Sequence, residues 1–373
     1  MKIEQIVWKK ATGWLSGQKK LADSAQLVLL FGEPDLIRRS STYDEIKAVY
    51  PGAYVFGCST GGNIFGSQIL DETMVGTAID FNCTKVAGAH IVRAESSYIA
   101  GRDLARAIPH EDLDHVLVLS DGLNVNGNQF MMGLLDELPG HVAVTGGLAG
   151  DGDGFKKTYV ISNETTDSHI VAILGFYGRR LKVAYSTQGG WDAFGPERLV
   201  TRSKGNVLYE MDGRSALELY KQYLGDLAEG LPATGMYFPL NLRSHEGDAP
   251  VTRTVMGIKK DNGLIFGGDI PEGTYVRLMK ANYDRLIDGA HIAAEKCIEA
   301  AGKAELALLV SCTARRLVLK QRTEEEVEAA QQAFGSDTIM TGFYSMGEIG
   351  PHRMGCPAGF HNQTMSITTF TEE

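Results

Sequence analysis

The sequence predicts an α/β protein of two lobes, built from repeated strand–helix–strand units with mixed, largely parallel sheets. One grammar occurs three times along the chain: an apolar run, a segment with helical spacing, a second apolar run closing on glycine, and a last run ending in phenylalanine. Repeats of this kind are read before anything else because they organise the whole fold. The runs are continuous Val, Leu and Ile bounded by glycine, the pattern of strands covered on both faces. A strand, a helix and a strand in that order imply a parallel pair joined by a right-handed crossover.

The first unit opens with QLVLLFG (26–32), turns at Pro51-Gly52, continues as AYVFGCSTGG and closes with MVGTAIDF at Phe81. The second opens with HVLVLSDG (115–122), turns at Pro139-Gly140, continues as HVAVTGGLAG and closes with HIVAILGF at Phe176. The third opens with ELALLVSC (305–312), turns at Gly335-Ser336, continues as TIMTGFYSMGEIG and closes with QTMSITTF at Phe370. In the second unit Phe130, Leu134, Leu135 and Leu138 keep one face of a helix apolar. Units two and three share a lead-in, HIVRAE or TYVRLM followed by a helical segment. Between these units the texture changes. Residues 181–224 read as strands, a glycine turn at Gly189-Gly190-Trp191 and a helix SALELYKQYL; then come TGMYFPLNL, VTRTVMGI and LIFGGDI, with Asp261-Asn262-Gly263 as a hairpin turn. The stretch from Gly225 to Pro232 breaks the helix and restarts a strand, which divides the chain into an N-terminal domain (1–224) and a C-terminal domain (225–373).

The chain has 373 residues and a formal net charge of -10. No run of Lys and Arg clusters as nucleic acid requires, so nucleic acid is excluded as a partner. The N-terminal segment lacks the apolar stretch and cleavage site of a signal peptide, and no run approaches the roughly 18 apolar residues of a membrane helix. Five irregularly spaced cysteines and no CxxC indicate reduced thiols. A cytoplasmic location without a membrane is the expectation.

Several motifs invite chemistry. Gly57-Cys58-Ser59-Thr60-Gly61 fits the GxSxG of a hydrolase elbow, but Gly61, Gly62 and Gly66 follow where a helix should start. As a phosphate loop it has Asn63 in place of lysine. The glycine-rich 146–154 segment lacks the helix of a dinucleotide fingerprint and the later ligands of a calcium loop, so a turn with positive φ is expected. Arg315 and Arg316 after the apolar run ending at Cys312 could clamp a carboxylate; Cys312 reads more simply as a buried thiol. His110, His115 and His141 are expected to face solvent and His291 to pack on a helix. His361 opens the last strand beside Gly347-Glu348-Ile349-Gly350, which singles it out.

Taken in order, VFGCSTGG, VLSDGLN, VTGGLAGDG, VTRSKGNVLYEMDGRSALELYKQYLG, LLVSCTARR, GFYSMGEIG and FHNQT resemble the FIST family, from about Gln26 to Phe370. The resemblance implies a bacterial, stand-alone sensory protein and not an enzyme. It would bind a small-molecule ligand and relay it to a histidine kinase or other signalling protein, and a homodimer is left open. One branch of the family, the nitric-oxide-sensing (NosP-like) haemoproteins, adds haem b as a candidate cofactor. Because ligands usually lie outside the carboxyl ends of parallel strands, the expected pocket draws on Cys312, Arg315, Tyr344, Glu348, His361 and Asn362. For haem, His361 would be the axial ligand, with His352 and His245 in reserve and an arginine near a propionate. The alternatives are a haem-free sensor of an amino-acid-like molecule, a hydrolase using Ser59 or Cys312 with a positioned base, and a scaffold without ligand.

Overall fold

The three opening runs are strands, Leu27–Gly32, Leu113–Ser120 and Leu306–Cys312, almost wholly buried along their lengths. In the computed structural model, which describes residues 1–16, 20–243 and 250–373, each lies parallel to the second run of its own unit: Tyr54–Ser59, Ala143–Leu148 and Ile339–Ser345. Each is also antiparallel to the closing run: Thr73–Asp80, Ile170–Tyr177 and Met365–Glu372. A lead-in strand, Lys2–Lys9, Lys85–Val92 or Leu181–Gln188, pairs antiparallel with the closing run. The fold is α/β with mixed sheets, as expected. Among the described residues parallel pairing is confined to the one crossover pair in each unit, and every other ladder is antiparallel.

The outer edge of each second strand is covered by a hairpin from a different unit. Asn63–Phe65 of the first unit pairs with Ile339–Ser345 of the third. Gly347–Gly350 of the third pairs with Ala143–Leu148 of the second, and Val160–Ser162 of the second pairs with Tyr54–Ser59 of the first. The exchange is cyclic. It removes three exposed strand edges and leaves no unit's sheet complete by itself.

The inner faces of the three sheets share one core. The phenylalanines that end the closing runs meet there: Phe81 lies 6.2 Å from Phe176 and Phe176 lies 5.2 Å from Phe370, between ring centroids. His115, expected at the surface, is buried in this cluster, where its Nε2 meets Thr145 Oγ1 at 3.0 Å. Strand alternation turns its side chain inward, and burial pushes its pKa down to about 3, so the ring is neutral. Helices cover the outside: Ser41–Val49 over the first unit, Ser97–Ala107 and Gly127–Glu137 over the second, Tyr283–Ala301 and Thr323–Phe334 over the third. Three of these five have side-chain caps at their starts; Ser96, Asn126 and Asn282 each accept from the backbone N–H three residues on.

Residues 192–280 form a separate module between the lead-in strand Leu181–Gln188 and the helix Tyr283–Ala301. It has its own eight-stranded antiparallel sheet, the helix Ala216–Leu224, and its own core around Leu208, Tyr220, Phe266 and Val276. The TYVRLM strand belongs here: Tyr275–Lys280 pairs with Asp192–Lys204 and Leu240–Arg243. The lead-in position of the third unit is held by Leu181–Gln188, nearly a hundred residues upstream. A division of the chain at 224/225 passes through the module, with strands of this one sheet on either side.

Candidate functional site

The repeats place three equivalent residues at the ends of the opening strands: Glu33, Asp121 and Cys312. The backbone N–H of each donates to the start of its closing segment, Glu33 to Thr73 O (3.2 Å), Asp121 to Ile170 O (2.8 Å) and Cys312 to Thr364 O (3.1 Å). One step further in, Gly61 donates to Tyr344 O, Gly150 to Ser59 O and Met346 to Leu148 O, at 2.8, 2.8 and 3.2 Å. Each bond joins one unit to another. The side chains are less alike. Asp121 is filled by Leu123 N, Thr158 Oγ1 and Asn124 Nδ2, and Glu33 accepts from Glu72 N. Cys312 instead opens on a cavity.

This cavity measures about 360 Å³. Its floor is Cys312, Thr313 and Ala314 at the strand end of the third unit, with Asn362 beside them; the module supplies Met236, Thr254 and Val255 as the opposite wall. Phe155 and Met256 stand at the rim, 45% and 39% exposed. The loop carrying Phe155 is pinned by the Asp151 carboxylate, which accepts from the backbone N–H of Phe155, Lys156 and Lys157 at 3.0, 2.7 and 3.0 Å. The lining is mainly apolar. Three residues of the lining hold a buried oxygen without a hydrogen-bond partner among the described residues: Thr254 Oγ1, Thr313 Oγ1 and Asn362 Oδ1. Each such group costs on the order of 1–3 kcal/mol, and native folds leave few of them without a reason.

A second cavity, about 620 Å³, lies on the other side of the segment His361–Thr364. His361, His352, Lys296, Asn241 and Thr364 line it. His361 is 2% exposed; its Nε2–H donates to Gly350 O at 2.8 Å, which leaves Nδ1 as a buried lone pair without a partner. Burial, and then the neighbouring His352, bring its pKa down to about 3. The two imidazoles lie 4.5 Å apart, and His352 is also held below its ordinary value by burial.

Arg315, Tyr344 and Glu348 are not in either lining. Arg315 donates through Nε and Nη2 to Glu326 Oε2 (3.1 and 2.8 Å), through Nη1 to Gly189 O (2.8 Å) and through Nη2 to Leu286 O (2.7 Å). Tyr344 Oη and Ser311 Oγ donate to the other Glu326 oxygen at 2.8 and 3.0 Å. That network fastens the strand end to two helices and uses four of the guanidinium's five N–H donors, which leaves no pair of them for a bidentate carboxylate ligand. Glu348 accepts from Ser345 Oγ (2.7 Å) and from Thr364 N and Oγ1 (3.1 and 2.9 Å), while burial pushes its pKa up to about 7. So the structure brings Cys312 and Asn362 together, puts His361 behind a common wall, and sets the other three in supporting positions. Thr254, Met236 and Phe155 were invisible in the sequence because the module and the second unit deliver them. Thr313, next to Cys312 in a quoted motif, was within reach.

The groups weighed for catalysis are otherwise engaged. Ser59 Oγ donates to Gly150 O at 2.8 Å and accepts from Tyr159 N at 2.9 Å, tying two units together. Burial, with Glu348 adding to it, pushes the Cys312 thiol well up and keeps it protonated. The histidine-ligated haem expected from the sequence takes an apolar slot with an imidazole lone pair in its wall, while other haem sites use a thiolate, thioether or phenolate. The apolar cavity has no histidine in its described lining, and the cavity holding His361 and His352 is polar and cationic. Neither described lining combines an apolar slot with an imidazole; His245 lies outside the described residues. No described helix is long and apolar enough to cross a membrane.

The FIST N domain matches residues 26–214 and the FIST C domain matches residues 216–351. An uncharacterized protein of Methanocaldococcus jannaschii is 25% identical over 269 residues, 66% of this chain and 52% of that protein. The chain thus spans about half the length of that relative. With both domains matched over most of its length, the chain belongs to the FIST family of ligand-binding sensory domains in signalling.

Proposed function

We propose that this protein is a sensor whose input site is the apolar cavity between the third unit and the module. It takes a small, mainly apolar molecule with one or two hydrogen-bonding groups. The observation that carries this is a mainly apolar lining in which three residues, Thr254, Thr313 and Asn362, each hold a buried side-chain oxygen without a partner among the described residues. Apolar surface with a few placed polar groups is what small-molecule sites consist of. Asp153 is the charged residue of the described lining, so a neutral or amine-bearing molecule fits and an anion does not.

The cavity has one wall from the core and one from the module. A ligand touching both favours the arrangement in which they are closed, and a signal results when it binds that arrangement better than any other. A histidine kinase is the proposed reader. Thermal-shift titration with short alkyl alcohols, alkyl amides and indole tests the site. At least one series should stabilise the protein, and Ala314→Phe, which fills the cavity, should remove the effect. Stabilisation that persists in Ala314→Phe places the ligand elsewhere. An absorption spectrum of protein produced with haem precursor tests the haem branch separately: a stoichiometric Soret band would displace this reading.

A further inference from the structure

The larger cavity is not accounted for by that reading, and its chemistry is opposite. Its three described orphan acceptors are the Nδ1 of His361, the Nε2 of His352 and the Oδ1 of Asn241, all buried without partners. His361 donates its other ring N–H to Gly350 O, and the other ring nitrogen of His352 interacts with the backbone of Thr187. Both rings are held neutral by burial, so each carries a buried lone pair that requires an O–H or N–H donor.

The charge in the lining is of one sign. Lys296 is half-buried on the helix Tyr283–Ala301, Arg353 is exposed at the rim, and neither has an ion-pair partner among the described residues. The described lining contains no carboxylate. A ligand ammonium would face two cations with nothing to balance it, which leaves hydroxyl groups as the donors for the histidines and an anionic group for Lys296 and Arg353. Trp191 completes the wall with its ring, its Nε1–H being used by Gln363 O at 2.9 Å. An aromatic face with several hydroxyl acceptors around it is suited to the alternating C–H and O–H surface of a sugar-like chain.

From this we infer that the cavity is a second binding site, for a small polyhydroxylated anion: a sugar acid or sugar phosphate whose hydroxyls donate to His361, His352 and Asn241 and whose anionic head lies on Lys296 and Arg353. The site shares the His361–Thr364 wall with the apolar cavity. Gln363 in that wall is fully buried, holds φ at 65° and donates from Nε2 to Met236 O of the module at 2.9 Å. An occupant of one cavity therefore bears on the segment that lines the other.

Isothermal titration of the full chain with D-gluconate and with glucose 6-phosphate tests the assignment, the two probes distinguishing a carboxylate head from a phosphate. D-glucose and inorganic phosphate are the half-ligand controls. At least one hydroxylated anion should bind more tightly than either control. Lys296→Met should weaken it about tenfold, as loss of one charge-assisted contact does, and His352→Phe should weaken it as well, with unfolding midpoints showing both variants folded. Ala314→Phe, which lies outside the described lining of this cavity, should shift the affinity through the shared segment but not abolish binding. The assignment is overturned if neither anion binds the wild-type protein. It is also overturned if Lys296→Met and His352→Phe bind as tightly as wild type, or if Ala314→Phe abolishes binding and Lys296→Met does not.

Discussion

Arg315 and Glu326 form an ion pair in which both side chains are 0% exposed, the guanidinium Nη2 standing 2.8 Å from Glu326 Oε2. Two backbone carbonyls and two hydroxyls complete the pair, so every charged atom has a partner. Removing one member strands the other in the core, a loss of about 3–5 kcal/mol. Arg315→Met and Glu326→Leu should each lower stability by that amount in urea denaturation. The double variant should lose much less than the sum, since it leaves no unpaired charge. Additive losses would show that the two side chains act independently.

Glu348 makes stability depend on pH. Its pKa rises from 4.5 to about 7 because burial disfavours the carboxylate more than Ser345 and Thr364 stabilise it. The folded protein therefore holds this proton where the unfolded chain releases it. The contribution is full below pH 4.5, declines as pH rises, and is gone above pH 7. Over that window the loss amounts to about 3 kcal/mol at most. Glu348→Gln mimics the protonated acid and should flatten this part of the stability profile. A wild-type profile that already matches Glu348→Gln between pH 5 and 7 would show that the carboxyl ionises in the folded protein at no cost.

What the sequence disclosed follows from what periodicity reports. The three closing phenylalanines, Phe81, Phe176 and Phe370, were legible as equivalents and do meet in one core. The hairpin exchange was not, because alternation tells which face a strand buries and not which strand lies beside it. TYVRLM looked like a lead-in because a helix follows it, as one follows HIVRAE; only pairing shows that it closes a module. Arg315 was expected at a strand end as a clamp for a carboxylate. It lies instead in the helix Thr313–Leu319, whose side chains lean back toward the preceding strand. Its partner had left a signal: Glu326 shares the buried face of its helix with Val327, Ala330 and Phe334. A carboxylate on an apolar stripe calls for a buried cation.

The unpartnered polar atoms of the residues that line the apolar cavity lower stability. Thr254→Val keeps the shape of the side chain and removes an unpartnered hydroxyl. Without ligand, it should raise stability by about 1 kcal/mol, since the desolvation cost of the hydroxyl disappears. The same change should reduce the stabilisation produced by whichever alcohol, amide or indole binds wild type. Thermal unfolding with and without that molecule reads both effects. A variant that is less stable alone would mean that Thr254 Oγ1 has a partner in solution.

Arg253 fixes the module to the second unit. It is 4% exposed; Nη1 donates to Phe360 O at 3.0 Å, Nη2 to Asn128 Oδ1 at 3.3 Å and Nε to Asp269 O within the module at 3.2 Å. No carboxylate bonds to it among the described residues, and burial lowers its pKa to about 10, which still leaves it charged at neutral pH. Arg253→Met removes the bonds but keeps the stem, at about 1.5–3 kcal/mol for each charge-assisted bond that mattered. Because the bonds to Phe360 and Asn128 lie between module and core, the loss should appear as local opening. Limited proteolysis should cut the 192–280 module of Arg253→Met well before the rest of the chain. Simultaneous degradation of both would mean that the module unfolds only with the core.

Gly342 sits where the second strand of the third unit crosses the first, and a Cβ there would collide with the Leu309 carbonyl oxygen. The obstacle is backbone, so no side chain can move aside. Gly57 against Leu30 O and Gly146 against Val118 O stand at the same crossing in the other two units. Alanine at any of the three must push apart a parallel pair at the centre of its sheet, at a cost of about 1–3 kcal/mol or more. Gly52→Ala is the control: exposed, with Ala25 O at 3.7 Å as an ordinary contact, it should change stability by less than about 0.5 kcal/mol. Similar losses at Gly57, Gly146 and Gly342 in urea denaturation would show that the three units carry equal strain-free crossings in one cooperative fold. A large loss at Gly342 alone would mean that the cyclic exchange leaves the third unit, which holds both cavities' shared wall, as the most tightly determined of the three.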